Sequence, residues 1–220
     1  MIESTVMKTC DESHNTFFSD PLSGVIFDLD NTLVTSSLNF IEIKKAINCP
    51  TEMDVLKYVD SLPLKQKAKA NNKIIEFELK DAHSSSLLTG TKEIIALLSY
   101  LKLPCAIVTR NCRDATAIKL ARNNINIDLV ISREDHKAKP APDALLYIAK
   151  QWQLPSENLL YVGDYLYDVQ AAVNANMQSC LLTYGESLPY AHLATLSVND
   201  LIELTRLIDL ALPGRFKQPS

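Results

Sequence analysis

The chain never approaches the roughly 18–20 consecutive apolar residues that a membrane-spanning helix needs, so none is expected. Basic charge is in short supply. Lys and Arg total 22 against 26 Asp and Glu, giving a net charge of −4 and a pI near 5.6. That balance argues against general nucleic-acid binding, which wants a basic face. It does not exclude phosphorylated small molecules, which a metal and a few local cations can hold. There is no Cys-x-x-Cys pair. The five cysteines (Cys10, Cys49, Cys105, Cys112, Cys180) are odd in number and widely spaced, so free reduced thiols and a cytoplasmic compartment are expected. Residues 1–19 lack the apolar stretch of a signal peptide, and 1–20 are expected to form an N-terminal extension.

The 220 residues are 47% hydrophobic, enough for a sizeable core. Residues 39–86 contain no glycine and no strand-like run, while helical signals recur throughout. Phe40, Ile43 and Ile47 follow helical spacing, and Thr51-Glu52-Met53-Asp54 has the pattern of a capping box opening a helix with Leu56 and Val59. Pro63 opens a longer helix whose predicted apolar face carries Leu64, Ala68, Ile75, Leu79 and Ala82. Ser84-Ser85-Ser86 reads as a linker. From residue 89 onward helix and strand patterns alternate. Strands are predicted at 105–108, 129–131, 159–162 and 179–182. Helices are predicted after Gly90 and over 114–123, 143–151, 168–175 and 199–210. Alternation of this kind predicts an α/β fold: a doubly wound, Rossmann-like parallel sheet. The expected division is a core from 21–36 and 87–220, with a small helical unit, 37–86, inserted after the first strand.

Chemistry gathers where the predicted strands end. Val25-Ile26-Phe27 reads as a buried strand, and Asp28-Leu29-Asp30-Asn31-Thr32 follows it. Two carboxylates so close repel one another unless a cation or a shared proton relieves them. The same triplet also suits a polar turn or an Asx cap. Thr109-Arg110-Asn111 follows the second predicted strand, and Gly163-Asp164 follows the strand at 159–162 with Asp168 four residues on. Lys139 lies between them in Lys137-Ala138-Lys139-Pro140. Each piece alone is weak: a threonine there is usually a helix cap, a lone lysine a solvated charge. Acid, hydroxyl, cation and acid at successive strand ends form a joint pattern that chance rarely supplies, at the edge where open α/β sheets bind ligands.

On these motifs the sequence resembles the haloacid dehalogenase superfamily, specifically its Mg²⁺-dependent phosphatases, with a loose likeness to the phosphoglycolate phosphatase branch in Thr109-Arg110-Asn111 and Arg133-Glu134-Asp135. The resemblance implies that Asp28 is the nucleophile and Asp30 the general acid and base. It places Mg²⁺ on the Asp28 carboxylate, the Asp30 backbone carbonyl and the Asp164 carboxylate. Lys139 would neutralise charge, and Asp168 would orient Lys139 or a metal-bound water. Thr109, with the amides of Arg110 and Asn111, would bind phosphoryl oxygens, with Thr32 and Gly163 as supporting positions. Asn31, where many relatives have Gly, tolerates left-handed backbone. The inserted helices would form a mobile cap, whose Lys44, Lys45, Lys57, Lys65, Lys67, Lys69 and Lys73 make it basic enough to attract anions.

The expected activity is hydrolysis of small phosphorylated metabolites of phosphoglycolate or sugar-phosphate type, by a monomer or homodimer without nucleic-acid or membrane partners. A phosphomutase is the nearest alternative. A phospho-accepting receiver fits worse, because its acceptor follows the third strand and it has no place for the inserted helices. Tyr165 and Tyr167 either line the pocket or pack on the cap. His83, His136 and the 133–135 segment are expected at the surface, and Arg110 reaches either a substrate carboxylate or solvent.

Overall fold

In a computed structural model, which describes residues 18–212, six parallel strands form one sheet in the order β3-β2-β1-β4-β5-β6. The strands are β1 (Gly24–Phe27), β2 (Cys105–Val108), β3 (Leu129–Ile131), β4 (Leu159–Gly163), β5 (Gln178–Leu182) and β6 (Leu196–Val198). Side-chain alternation along β1 sends Val25 and Phe27 to one face of the sheet and Ile26 to the other. On the first face lie α4 (Thr91–Leu101) and α8 (Leu201–Ala211), which contribute Ile94, Leu98, Leu201 and Leu204. On the second lie α6 (Asp143–Trp152) and α7 (Leu166–Asn174), with Leu145, Ile148 and Ala172. A sheet covered on both faces explains why its strands read as continuous apolar runs. The order runs outward from β1 in both directions, so the chain reverses its winding between β1 and β4. Open α/β folds place ligands at that crevice.

The inserted helices are α1 (Phe40–Ile47), α2 (Val55–Ser61) and α3 (Leu64–Ala82). They share a core of their own made of Ile43, Ile47, Val55, Val59, Ala70 and Ile74. The predicted capping box does not open α2. Residues 51–53 form a turn, and Asp54 is the N-cap, its side chain accepting from the amides of Leu56 and Lys57. The buried face of α3 is also rotated from the predicted one. It carries Ala70, Ile74, Glu78, Asp81 and Ala82, while Leu64 and Ala68 are exposed. The cause is that α3 packs on two partners, the small insertion core and α5 (Arg113–Arg122), where Ala82 meets Cys112 and Ala115. The short edge strand β6 carries too few residues to show a period and escaped prediction. Cys49, Cys105, Cys112 and Cys180 are free thiols; Cys10 and most of the predicted N-terminal extension lie outside the described residues.

Two linkers join the insertion to the sheet, and they bond to each other. The Thr35 amide donates to Ser86 O at 2.8 Å, and the Ser86 amide to Thr35 Oγ1 at 3.0 Å. No helix among the described residues is long and apolar enough to cross a membrane.

Candidate active site

The C-terminal ends of β1, β2 and β4 meet at the floor of a cavity of about 490 Å³, roofed by the insertion. Asp28 follows β1 directly, its amide bonded to Val162 O at 2.8 Å, so the pairing of β1 with β4 fixes its position. Lys139 is 5% exposed and lies between two carboxylates: its Nζ is 2.6 Å from Asp28 Oδ1 and 2.6 Å from Asp168 Oδ1. Asp168 is fully engaged, because Oδ1 also accepts from the Tyr161 hydroxyl at 3.2 Å and Oδ2 from the Tyr165 amide at 3.0 Å. Gly163 makes this possible. A Cβ there would lie 2.3 Å from Asp168 Cγ, so any side chain would displace the carboxylate.

Carboxylate oxygens of Asp28, Asp164 and Asp168 lie within 4.8 Å of one another. Burial, then the neighbouring carboxylates Asp28 and Asp168, push the Asp164 carboxyl up to about 8. Burial likewise raises Asp28 even with Lys139 beside it. A cluster this acidic around one ammonium is stable in its ionised form only with further positive charge, and all-oxygen donors suit a hard divalent cation. The residues therefore fit Mg²⁺. With both Asp168 oxygens already bonded, Asp28 and Asp164 are the freer donors.

Asp30 sits apart from this cluster. Its carboxylate takes an ammonium from Lys119 and a hydrogen bond from Asn111 Nδ2 at 2.8 Å. Lys119, on α5, has a side chain with no solvent exposure and also holds Asp81 of α3 at 2.7 Å. Burial alone would lower the Lys119 pKa, but the two carboxylates hold it above its usual value. Burial raises Asp30 above the usual carboxylate range despite Lys119. Asp81 in turn accepts from Ser36 Oγ, Ser37 N and Ser37 Oγ at 2.6–2.9 Å, so Lys119 joins Asp30 to the first linker of the insertion.

Thr109 Oγ1 lines the cavity and accepts from the Asn111 amide at 3.2 Å. That amide is thus used locally, and the Asn111 side chain bridges Thr109 to Asp30. The Arg110 guanidinium neither faces solvent nor is free. Its Nη2 donates to both Asp54 oxygens, at 2.9 and 2.7 Å, and the group lies 4.8 Å from the Tyr167 ring centre. Tyr165 and Tyr167 both line the cavity. Thr32 does not belong to this assembly. It is fully buried, lies outside the cavity lining, and its hydroxyl has no hydrogen-bond partner. Asn31 has φ 51°, in the left-handed region where asparagine is tolerated.

The expected surface position of the 133–135 segment holds for Glu134 and Asp135 but not for Arg133. That guanidinium pairs with Glu78 of α3 and donates to Arg110 O at 3.0 Å, with its side chain 9% exposed. His83 is exposed, and His136 is half-buried against Tyr147. Of the seven insertion lysines named above only Lys44 lines the cavity, and its Nζ donates to Thr51 O. Lys119, Asp81, Glu78 and Asp54 were all missed from sequence. One signal existed for Lys119: it falls four residues after Ala115, on the apolar side of α5.

Residues 35–182 match the family model described as haloacid dehalogenase-like hydrolase. The chain belongs to this family. A haloacid dehalogenase-like hydrolase domain-containing protein of Arabidopsis thaliana is 28% identical over 173 residues, covering 73% of this chain and 71% of that protein. A phosphoglycolate phosphatase of Pectobacterium atrosepticum is 33% identical over 129 residues, 57% of this chain and 54% of its own length. Among solved structures, a hydrolase from Pseudomonas syringae superposes with a TM-score of 0.73 at 24% identity, covering 86% of this chain and 98% of that one. As a haloacid dehalogenase-like hydrolase, the chain carries Asp28 at the end of β1, Asp164 after β4 and Asp168 in α7, with Lys139 reaching them from the segment between β3 and α6 and the inserted helices above.

Proposed function

We propose that the protein hydrolyses small phosphate monoesters through a phosphoaspartate on Asp28, with Mg²⁺ as cofactor. The observation that carries this reading is Asp28 at the end of β1, held by the buried Lys139 and facing Asp164 at the cavity floor. The phosphoglycolate phosphatase among the relatives supports the substrate class.

In the first step an Asp28 oxygen attacks phosphorus and the ester oxygen leaves, taking a proton from Asp30. In the second, Asp30 removes a proton from water, the water oxygen attacks phosphorus, and phosphate departs with Asp28 regenerated. The raised Asp30 pKa suits a group that must both hold and release a proton. Lys139 offsets the repulsion between an anionic nucleophile and an anionic phosphoryl group. The Thr109 hydroxyl binds a phosphoryl oxygen, and Asn111 sets the distance between Thr109 and Asp30. Asp28, Asp164 and the Asp30 carbonyl would hold Mg²⁺, whose chemistry when bound would be further neutralisation of charge on the phosphoryl oxygens. The inserted helices act as a cap that excludes water and reads the leaving group.

The test is hydrolysis of p-nitrophenyl phosphate by the purified protein with Mg²⁺, with EDTA, and after Asp28→Asn. Turnover is expected only in the unaltered, Mg²⁺-supplied protein. An equal rate in EDTA refutes the metal, and a fully active Asp28→Asn refutes the nucleophile.

A further inference from the structure

The cavity wall opposite the phosphate end is made by the insertion, and its character bears on what the ester carries. Leu38, Phe40, Ile43, Met53, Val55 and Leu56 form most of it. Two cations reach this part of the lining, Lys44 and Arg110, and of the two only Arg110 is paired with a carboxylate. Lys44 keeps its charge, but its Nζ donates to the Thr51 carbonyl in a solvent-exposed bond, where water screens its attraction for an anion. Arg110 is neutralised by Asp54, in a pair whose side chains are only 24% and 14% exposed. Glu52 also lines the cavity and has no ion-pair partner among the described residues. Glu78 is matched by Arg133, which is not part of the lining.

A leaving group with a second negative charge would therefore be desolvated against an apolar wall. It would meet Glu52, and find its one nearby guanidinium occupied by a competing carboxylate. Partly burying such a charge with only a solvent-screened ammonium for a partner is unfavourable. An uncharged group with an apolar face meets no such penalty, and 490 Å³ leaves room well beyond a two-carbon acid. Resting on the reading of the site as a phosphate-monoester hydrolase, we infer that it selects esters whose leaving group is uncharged and partly apolar. Asp54, by holding Arg110, sets the discrimination against a second anion such as a carboxylate. Specificity of this kind comes from a repulsive element in the site as much as from attraction.

Two probes of similar size test this: hydroxyethyl phosphate and phosphoglycolate, which differ in a CH₂OH against a carboxylate. With p-nitrophenyl phosphate as the activity control, the intact protein is expected to favour hydroxyethyl phosphate in kcat/KM by about tenfold or more. Equal or better turnover of phosphoglycolate overturns the inference. Asp54→Asn keeps an N-cap acceptor for the Leu56 and Lys57 amides while removing the charge. It is expected to shift the ratio toward phosphoglycolate by about tenfold, chiefly through KM, and an unchanged ratio in a folded variant removes Asp54 from the role. Adding Arg110→Gln to Asp54→Asn is expected to abolish that gain; a gain that persists shows Arg110 is not the group released. Asp54→Ser, another good N-cap, repeats the test should the asparagine variant fail to fold. Failure to hydrolyse any of the three esters overturns the phosphatase reading itself, an outcome distinct from hydrolysis with reversed preference.

Discussion

Lys139 and Lys119 are both buried and each lies between two carboxylates, yet they join different parts of the molecule. Lys139 binds Asp28, directly after β1, and Asp168, in the first turn of α7 just after β4, so both partners belong to the core. Its cluster is assembled by the core alone. Lys119 binds Asp30 of the same β1 loop but also Asp81 at the end of the inserted α3, which in turn grips Ser36 and Ser37. Its cluster exists only when insertion and core are docked. The acid oxygens around Lys139 can be satisfied by a cation as well as by the lysine. Those around Lys119 have no such substitute, since Asp81 is almost fully buried and lies away from the cavity. The contrast teaches that a buried ammonium can serve chemistry in one place and anchor an insertion in another, depending on which elements supply its partners.

The largest expected effect tests the second half of that contrast. Lys119→Met leaves Asp30 and Asp81 buried without their cation and is expected to cost about 3–5 kcal/mol of stability in urea unfolding. A loss under 1 kcal/mol would show that the two clusters are not different in kind. Next, Lys139→Met is expected to appear mainly in turnover, lowering kcat on p-nitrophenyl phosphate by about 10²–10³-fold, with Mg²⁺ softening its effect on stability. If Mg²⁺ raises the melting temperature of Lys139→Met no more than that of the parent, the cation is not replacing the lysine. Gly163→Ala is the third. Its Cβ has no room beside Asp168, so a loss of about 1–3 kcal/mol is expected by thermal melting, together with reduced activity. Full activity would mean that Asp168 can shift without consequence for Lys139.

The smallest effect involves an exposed pair that should behave unlike either cluster. The Ser132 hydroxyl and amide, and then Arg113, hold the Asp135 carboxyl down at about 2. A lowered carboxyl contributes stability that is present above its ordinary pKa and lost as pH falls through the folded value. Asp135→Asn is therefore expected to flatten the acid limb of the stability curve between about pH 4 and pH 2 while changing little at pH 7. An equal loss at both pH values would contradict the assignment.

Much of the fold was legible because its strands are buried on both faces and its helices are strongly periodic. The runs at 105–108 and 129–131 became β2 and β3 residue for residue. The errors have physical causes. The α3 face was misjudged because the helix buries two sides against two partners, and a single-stripe pattern cannot express that. Arg133 looked solvated because its partner Glu78 is 55 residues away on another element. The basic composition of the insertion suggested attraction for anions. Lys67 and Lys73, however, pair with Asp60 and Glu76 on the outside, and only Lys44 turns toward the cavity.

Order along the chain was enough to determine a parallel α/β sheet and to place Asp28, Thr109, Lys139 and Asp164 at or between its strand ends. Such inferences need only local periodicity and the rule that open sheets work at their C-terminal edge. Tertiary structure alone decided which of the charges meet. Lys119 reaches Asp30 across 89 residues, and Arg110 reaches Asp54 across 56. An ion pair depends on distance and burial rather than on spacing in sequence, so these side chains acquire their roles only once α3 docks on α5 and the insertion covers the sheet edge.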